Sequence, residues 1–174
     1  MTRSSVPLPD VEEVKRLLGL RPLPVEGGYY AESYRSSESL LADQLPARYG
    51  SQRSFGTAIY YLLTPDTFSE LHRLRTDEVF HFYLGDPREM LLLAEESAGR
   101  TLLLGQDVMG GMVVQAVVPQ GVWQGARLLA GGRFALLGTT MAPGFDVADY
   151  ESGDCATLER LYPAHAELIR LLTR

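Results

Sequence analysis

The sequence has a single cysteine, Cys155, in 174 residues. No internal disulfide can form, and a CxxC metal or redox site is excluded. It also has one lysine, Lys15, against fifteen arginines, and the net charge is −6. That acid excess argues against nucleic acid and against an anionic membrane as partners. No apolar run approaches the roughly 18 residues that a bilayer-spanning helix needs. The opening residues lack the charged-then-apolar order of a secretory leader, so a cytoplasmic location is expected. No glycine-rich phosphate loop opens a helix, and helical periodicity is confined to the two ends. A βαβ nucleotide fold is therefore excluded.

What is present suits one globular domain spanning 1–174, since 45% hydrophobic content is enough for a core. Val11, Val14, Leu17 and Leu18 recur at helical spacing behind Asp10, which predicts a helix over about 10–19. Alternation begins after Gly27-Gly28 and marks a strand near 29–36. Further strands are read at 57–63, 90–94, 101–104 and 112–118. The segments 122–129 and 134–140 read as a hairpin around Ala130-Gly131-Gly132. A helical segment over about 155–173 closes the chain, interrupted at Pro163. Short strands separated by turns every ten residues or so predict an all-β sandwich or barrel, over about 25–145. Both faces of TAIYYLL (57–63) and EVFHFYL (78–84) are apolar, so the outer face of the sheet should also be covered. A homodimer is expected on that ground.

The densest chemistry lies in SELHRLRTDEVFHFYLG, residues 69–85, with two of the three histidines. If Glu78 points inward along its strand, so do Phe80, Phe82 and Leu84, while Val79, His81 and Tyr83 point outward. His81 is then a packing or interface residue. Tyr30, Tyr61, Trp123 and Phe80 are candidates to contact a ligand, as are Tyr29 and Tyr60, because aromatics supply area with a polar tip.

His72, Glu78 six residues on, Gly85 seven further, and then Pro119-Gln120-Gly121-Val122-Trp123-Gln124 resemble the two motifs of the cupin superfamily. The blocks EGGYY (26–30), LHR (71–73), DEV (77–79), HFYLGDP (81–87), GVWQ (121–124) and APGFD (142–146) resemble a small single-domain cupin family of uncharacterised function. The resemblance implies a double-stranded β-helix, a jelly-roll barrel with its site at the mouth. Leu74 stands where the second histidine of the first motif falls, Asp66 where its opening glycine falls, and Gln124 where the second-motif histidine falls. Of the customary metal ligands, His72 and Glu78 remain, with Gln124 offering a neutral oxygen.

Three functions follow from the resemblance. The leading one is a small-molecule enzyme needing no cofactor, similar to sugar or carbonyl epimerases, with His72 as base, Glu78 orienting it and a tyrosine as acid. Its ligand is expected to be a sugar or nucleotide-sugar. The second is a metal-dependent enzyme in which His72, Glu78 and Gln124 hold Mn or Fe. The third is a ligand sensor without catalysis.

Overall fold

The computed structural model describes residues 8–95 and 97–174, so the first seven residues of the segment inspected for a leader lie outside it. Helix α1, Val11–Leu17, starts where expected because the Asp10 carboxylate accepts the amides of Glu12 (2.9 Å) and Glu13 (3.2 Å). Thirteen strands follow in the described residues: β1 Arg21–Pro22, β2 Tyr29–Arg35, β3 Ser39–Leu40, β4 Arg53–Ser54 and β5 Thr57–Leu63. Next come β6 Phe68–Arg73, β7 Glu78–Gly85, β8 Arg88–Leu93 and β9 Arg100–Leu104. The last are β10 Gln115–Val118, β11 Trp123–Leu128, β12 Ala135–Met141 and β13 Glu151–Ser152. Helices α2, Cys155–Leu161, and α3, Ala166–Leu171, are separated by a turn that begins at Pro163, the position where the missing amide forbids a continuous helix.

The strands form two antiparallel sheets, β1-β2-β5-β12-β7-β10 and β13-β6-β11-β8-β9, with β3 and β4 paired separately. From β5 to β8 the chain crosses between sheets at every strand, and again from β10 to β13. That alternation builds a double-stranded β-helix, a jelly-roll barrel. It also corrects one expectation: β11 and β12 are not a hairpin. β11 pairs with β6 and β8, and β12 with β5 and β7, so the glycine turn at 131–132 carries the chain from one sheet to the other.

Side chains alternate as the pleat requires through Phe82. A register shift between β7 and β12 then turns Leu84 outward, where it packs with the α1 cluster and not inside the barrel as expected. Phe80 and Phe82 of β7, Met90 and Leu92 of β8, and Ala126 and Leu128 of β11 fill the barrel with Tyr61, Leu63 and Leu137. Each large apolar side chain sealed there contributes roughly 1.5–3 kcal/mol. Outside, α1 packs on Leu62 and Leu136 of the six-stranded sheet and on Phe134 just before β12. The C-terminal helices cover Leu71, Leu91 and Leu93 of the other. Tyr34, Tyr83 and Val117, on the outer face of the six-stranded sheet, stay exposed. No helix among the described residues is long and apolar enough to cross a membrane.

Candidate functional site

One irregularity in β6 sets up the site. Ser69 pairs with Ala126 and His72 with Gln124, so the register slips between them. The slip turns both Ser69 and His72 inward although they are three residues apart, which a regular strand does not allow. His72 is 1% exposed. Its Nδ1 lies 2.7 Å from the carbonyl oxygen of Glu70. A carbonyl only accepts, so Nδ1 carries the proton in the neutral ring and the basic lone pair is on Nε2. Tyr150 lies flat on the ring, with centroids 4.7 Å apart and planes inclined by 16°. The phenol oxygen of Tyr150 is buried without a protein partner. Burial pushes its ionisation well above the ordinary range.

Glu78 opens β7 and faces the same interior. Gln124 Nε2 donates to its Oε2 at 2.7 Å, which leaves Gln124 Oε1 buried and unpaired. Desolvation raises the Glu78 carboxyl above its ordinary value, and the Glu26 carboxylate adds to the rise. His72, neighbouring Thr139 and the hydrogen bond from Gln124 pull the other way. Glu26 is held by Ser69 Oγ at 2.8 Å. The bend that brings it there is Gly27-Gly28, with φ of 93° and 70°. A Cβ on Gly27 would fall 2.3 Å from the Phe68 carbonyl oxygen, so the loop closes on the barrel only with glycine.

Glu26 and Glu78 border a cavity of about 520 Å³ at the barrel mouth. Leu23, Val25, Ile59, Leu74, Met141 and Phe145 make much of its wall, with Tyr30, Thr139 and Tyr150 adding polar tips. A shallower depression of about 360 Å³ lies outside, among Arg48, Arg73, Arg75 and Glu151, and Leu74 borders both.

Of the residues singled out from sequence, Tyr30 and Glu78 line the cavity. His72 and Gln124 stand just behind its wall. Phe80 and Tyr61 belong to the packed interior, where the Tyr61 hydroxyl donates to the Gly27 carbonyl at 3.0 Å. Trp123 is the clear correction. It neighbours inward Gln124 in β11, so it points outward, packing against the C-terminal helix cluster under the Arg73 guanidinium, 4.6 Å from its ring centroid. Tyr29 and Tyr60 also face outward. His81 does too, bonded to Thr140 Oγ1 (3.0 Å) and Gln115 Nε2 (3.2 Å).

Two residues went unread. Tyr150 lies in a segment with no strand or helix pattern, and no local signal marks it. Arg88 follows Gly85-Asp86-Pro87 and reads as part of that turn, yet it begins β8 on the inward face of Met90 and Leu92. Strand parity would have found it.

The profile of the family described as Cupin superfamily (DUF985) matches residues 12–153. The chain belongs to the cupin superfamily. The uncharacterised protein YML079W of Saccharomyces cerevisiae is 31% identical over 135 residues, which are 72% of this cupin and 66% of the yeast protein. A hypothetical protein from Leishmania major shares the fold with a TM-score of 0.83 and 32% identity, over 95% of this chain and 99% of that one. A protein from Shewanella oneidensis matches equally well, with a TM-score of 0.83 and 30% identity over 96% and 99% of the two chains.

A metal here would have to be held by His72, Glu78 and Gln124, since Leu74 supplies no ligand; Gln124 Nε2 is spent on Glu78 while its Oε1 has no protein partner. No three His, Cys, Asp or Glu side chains among the described residues are arranged to hold an ion.

Proposed function

We propose that this cupin binds a small, largely apolar carbonyl compound in the barrel mouth and moves a proton on it through Glu78, without a metal. The observation that carries the reading is the position of Glu78: a carboxyl of raised pKa on the wall of an apolar cavity. A carboxylate whose pKa is raised is a stronger base than an ordinary one, which suits proton abstraction beside a carbonyl. In the ionised form Glu78 takes the α-proton of the bound compound. The charge then moves to the carbonyl oxygen, and the Tyr150 hydroxyl, which has no other partner, donates to it. Return of a proton from Glu78 to the same face gives exchange with solvent.

This moves the base from His72 to Glu78, because Tyr150 covers the imidazole. His72 becomes a positioning residue, an electrostatic neighbour that favours the ionised form of Glu78. The cavity wall favours a ligand less polar than the sugar or nucleotide-sugar that the resemblance implies, and Glu26, Glu32 and Glu78 along it would repel a diphosphate.

The test is solvent exchange. A panel of small ketones and 2-oxo acids incubated with the protein in D2O should lose α-proton NMR signal, and Glu78→Gln should abolish the loss. The burial of His72 favours a second reading, a binding protein without turnover. That reading wins if panel members raise the melting temperature of wild type and Glu78→Gln alike while no exchange occurs.

A further inference from the structure

The cavity at the barrel mouth is lined by three acids, Glu26, Glu32 and Glu78, and among the described residues by no lysine, arginine or histidine. The three acids are not alike. Glu32 is paired with Arg35, whose Nη2 lies 2.7 Å from Oε2. Glu26 and Glu78 are held by neutral donors and by no cation among the described residues: Ser69 Oγ on Glu26 at 2.8 Å, and Gln124 Nε2 on Glu78 at 2.7 Å. The Gln124 bond takes Glu78 Oε2, and no described residue donates to Oε1. Glu78 is only 7% exposed, and what it exposes is cavity wall. A carboxylate this deep, without a counter-ion in contact, is costly to leave as it stands.

The barrel sets these two carboxylates near each other. Ser69, which holds Glu26, pairs with Ala126, and Gln124, which holds Glu78, lies two residues earlier on β11. Two residues of strand span about 7 Å, so the anchor points are that far apart. Like charges at this separation repel, and in an enclosed apolar cavity they are screened less than at the surface. Arg88, fully buried and outside the cavity lining, sets one positive charge against their two. A cation entering the cavity offsets the remaining negative charge, whereas an anion adds to it. Leu23, Val25, Ile59 and Met141 give the rest of the wall its hydrocarbon character.

We infer that the cavity selects a cation, holding the ammonium group of a small amine on Glu26, beside Glu78, with its hydrocarbon body along the apolar wall. The inference deepens the reading above, on which it rests for the cavity, and narrows the compound to an amine-bearing carbonyl. Glu26 fixes the ligand by one end and leaves Glu78 facing the carbon framework. The ammonium charge favours the ionised form of Glu78, which is the form that accepts a proton.

The experiment titrates hexylammonium and its neutral analogue hexan-1-ol into the intact protein by calorimetry. Hexylammonium should bind roughly tenfold or more tightly than hexanol. Glu26→Gln, whose amide oxygen can still accept from Ser69, should erase the difference while hexanol binding is kept. Equal binding of the two probes, or an amine preference that survives in Glu26→Gln, overturns the inference and leaves the cavity reading standing. Binding of neither probe overturns both. In wild type the side-chain carboxyl carbon resonance of Glu26 should shift on adding hexylammonium and not on adding hexanol. An unmoved resonance with bound hexylammonium also overturns the inference, whether or not the variant folds.

Discussion

Arg53 and Arg88 are both sealed from solvent, at 2% and 0% exposure, and their surroundings are opposite. Arg53 Nη2 donates to Asp149 Oδ1 at 2.6 Å and to the Tyr49 carbonyl at 3.1 Å, and Nε donates to Asp149 Oδ2 at 3.3 Å. Nη1 adds the carbonyls of Ser51 and Gln52, each at 3.2 Å. Arg88 makes none of these bonds. A buried cation that the protein satisfies completely is a fastener. This one pins β4 to the segment carrying Asp149, and so holds the next residue, Tyr150, over His72. A buried cation with no protein acceptor fastens nothing. Residue type and depth are the same, so the difference lies in hydrogen-bond partners.

The comparison breaks first under substitution. Asp149→Ala removes one half of a desolvated pair and leaves Arg53 charged and buried, a loss of about 3–5 kcal/mol. Arg88→Met removes a charge that bonds to nothing in the protein, and should be neutral or stabilising by about 1–4 kcal/mol. Urea unfolding of the two variants against wild type measures both. If Arg88→Met were as destabilising as Asp149→Ala, Arg88 would be a structural residue like Arg53.

A smaller effect separates Glu78 from the paired acid Asp149. The folded protein holds a proton on Glu78 to higher pH than the unfolded chain does. Between the two values the native state binds more protons, so stability falls as pH rises. Each tenfold difference in proton affinity corresponds to about 1.4 kcal/mol. Melting temperatures of wild type should therefore decline from the ordinary carboxylate range up to the raised value. Glu78→Gln should flatten that decline, and an unchanged profile in the variant would show that Glu78 is ionised throughout.

The sequence carried much of this site and the reasons for the gaps are physical. His72, Glu78 and Gln124 were legible because motif spacing and strand parity act on neighbouring residues, and the three do converge. The same parity, applied one residue earlier, would have turned Trp123 outward. The β11–β12 hairpin failed because a short glycine turn is a local signal while strand partners are chosen globally. Tyr150 over His72 and Asp149 on Arg53 join distant segments, and no local pattern encodes such contacts. Arg88 was hidden by its polarity: an arginine beside Pro87 reads as turn, and burial of an unpaired cation is the outcome that composition predicts least.

A third arginine gives the exposed limit of the same comparison. Arg73 holds Glu151 with two hydrogen bonds, Nε at 2.9 Å and Nη2 at 2.8 Å, a bidentate geometry more even than the 2.6 and 3.3 Å of Arg53 on Asp149. The two side chains are 37% and 54% exposed. Water already solvates both charges there, so pairing them gains little and salt screens what is gained. Glu151→Ala should therefore lower stability by no more than about 1 kcal/mol. The loss should shrink further at high salt, which screens the exposed pair. Urea midpoints at low and high salt check this. A loss close to that of Asp149→Ala would mean that bond geometry, rather than burial, sets the worth of an arginine pair in this barrel, and the contrast between Arg53 and Arg88 would then need another cause.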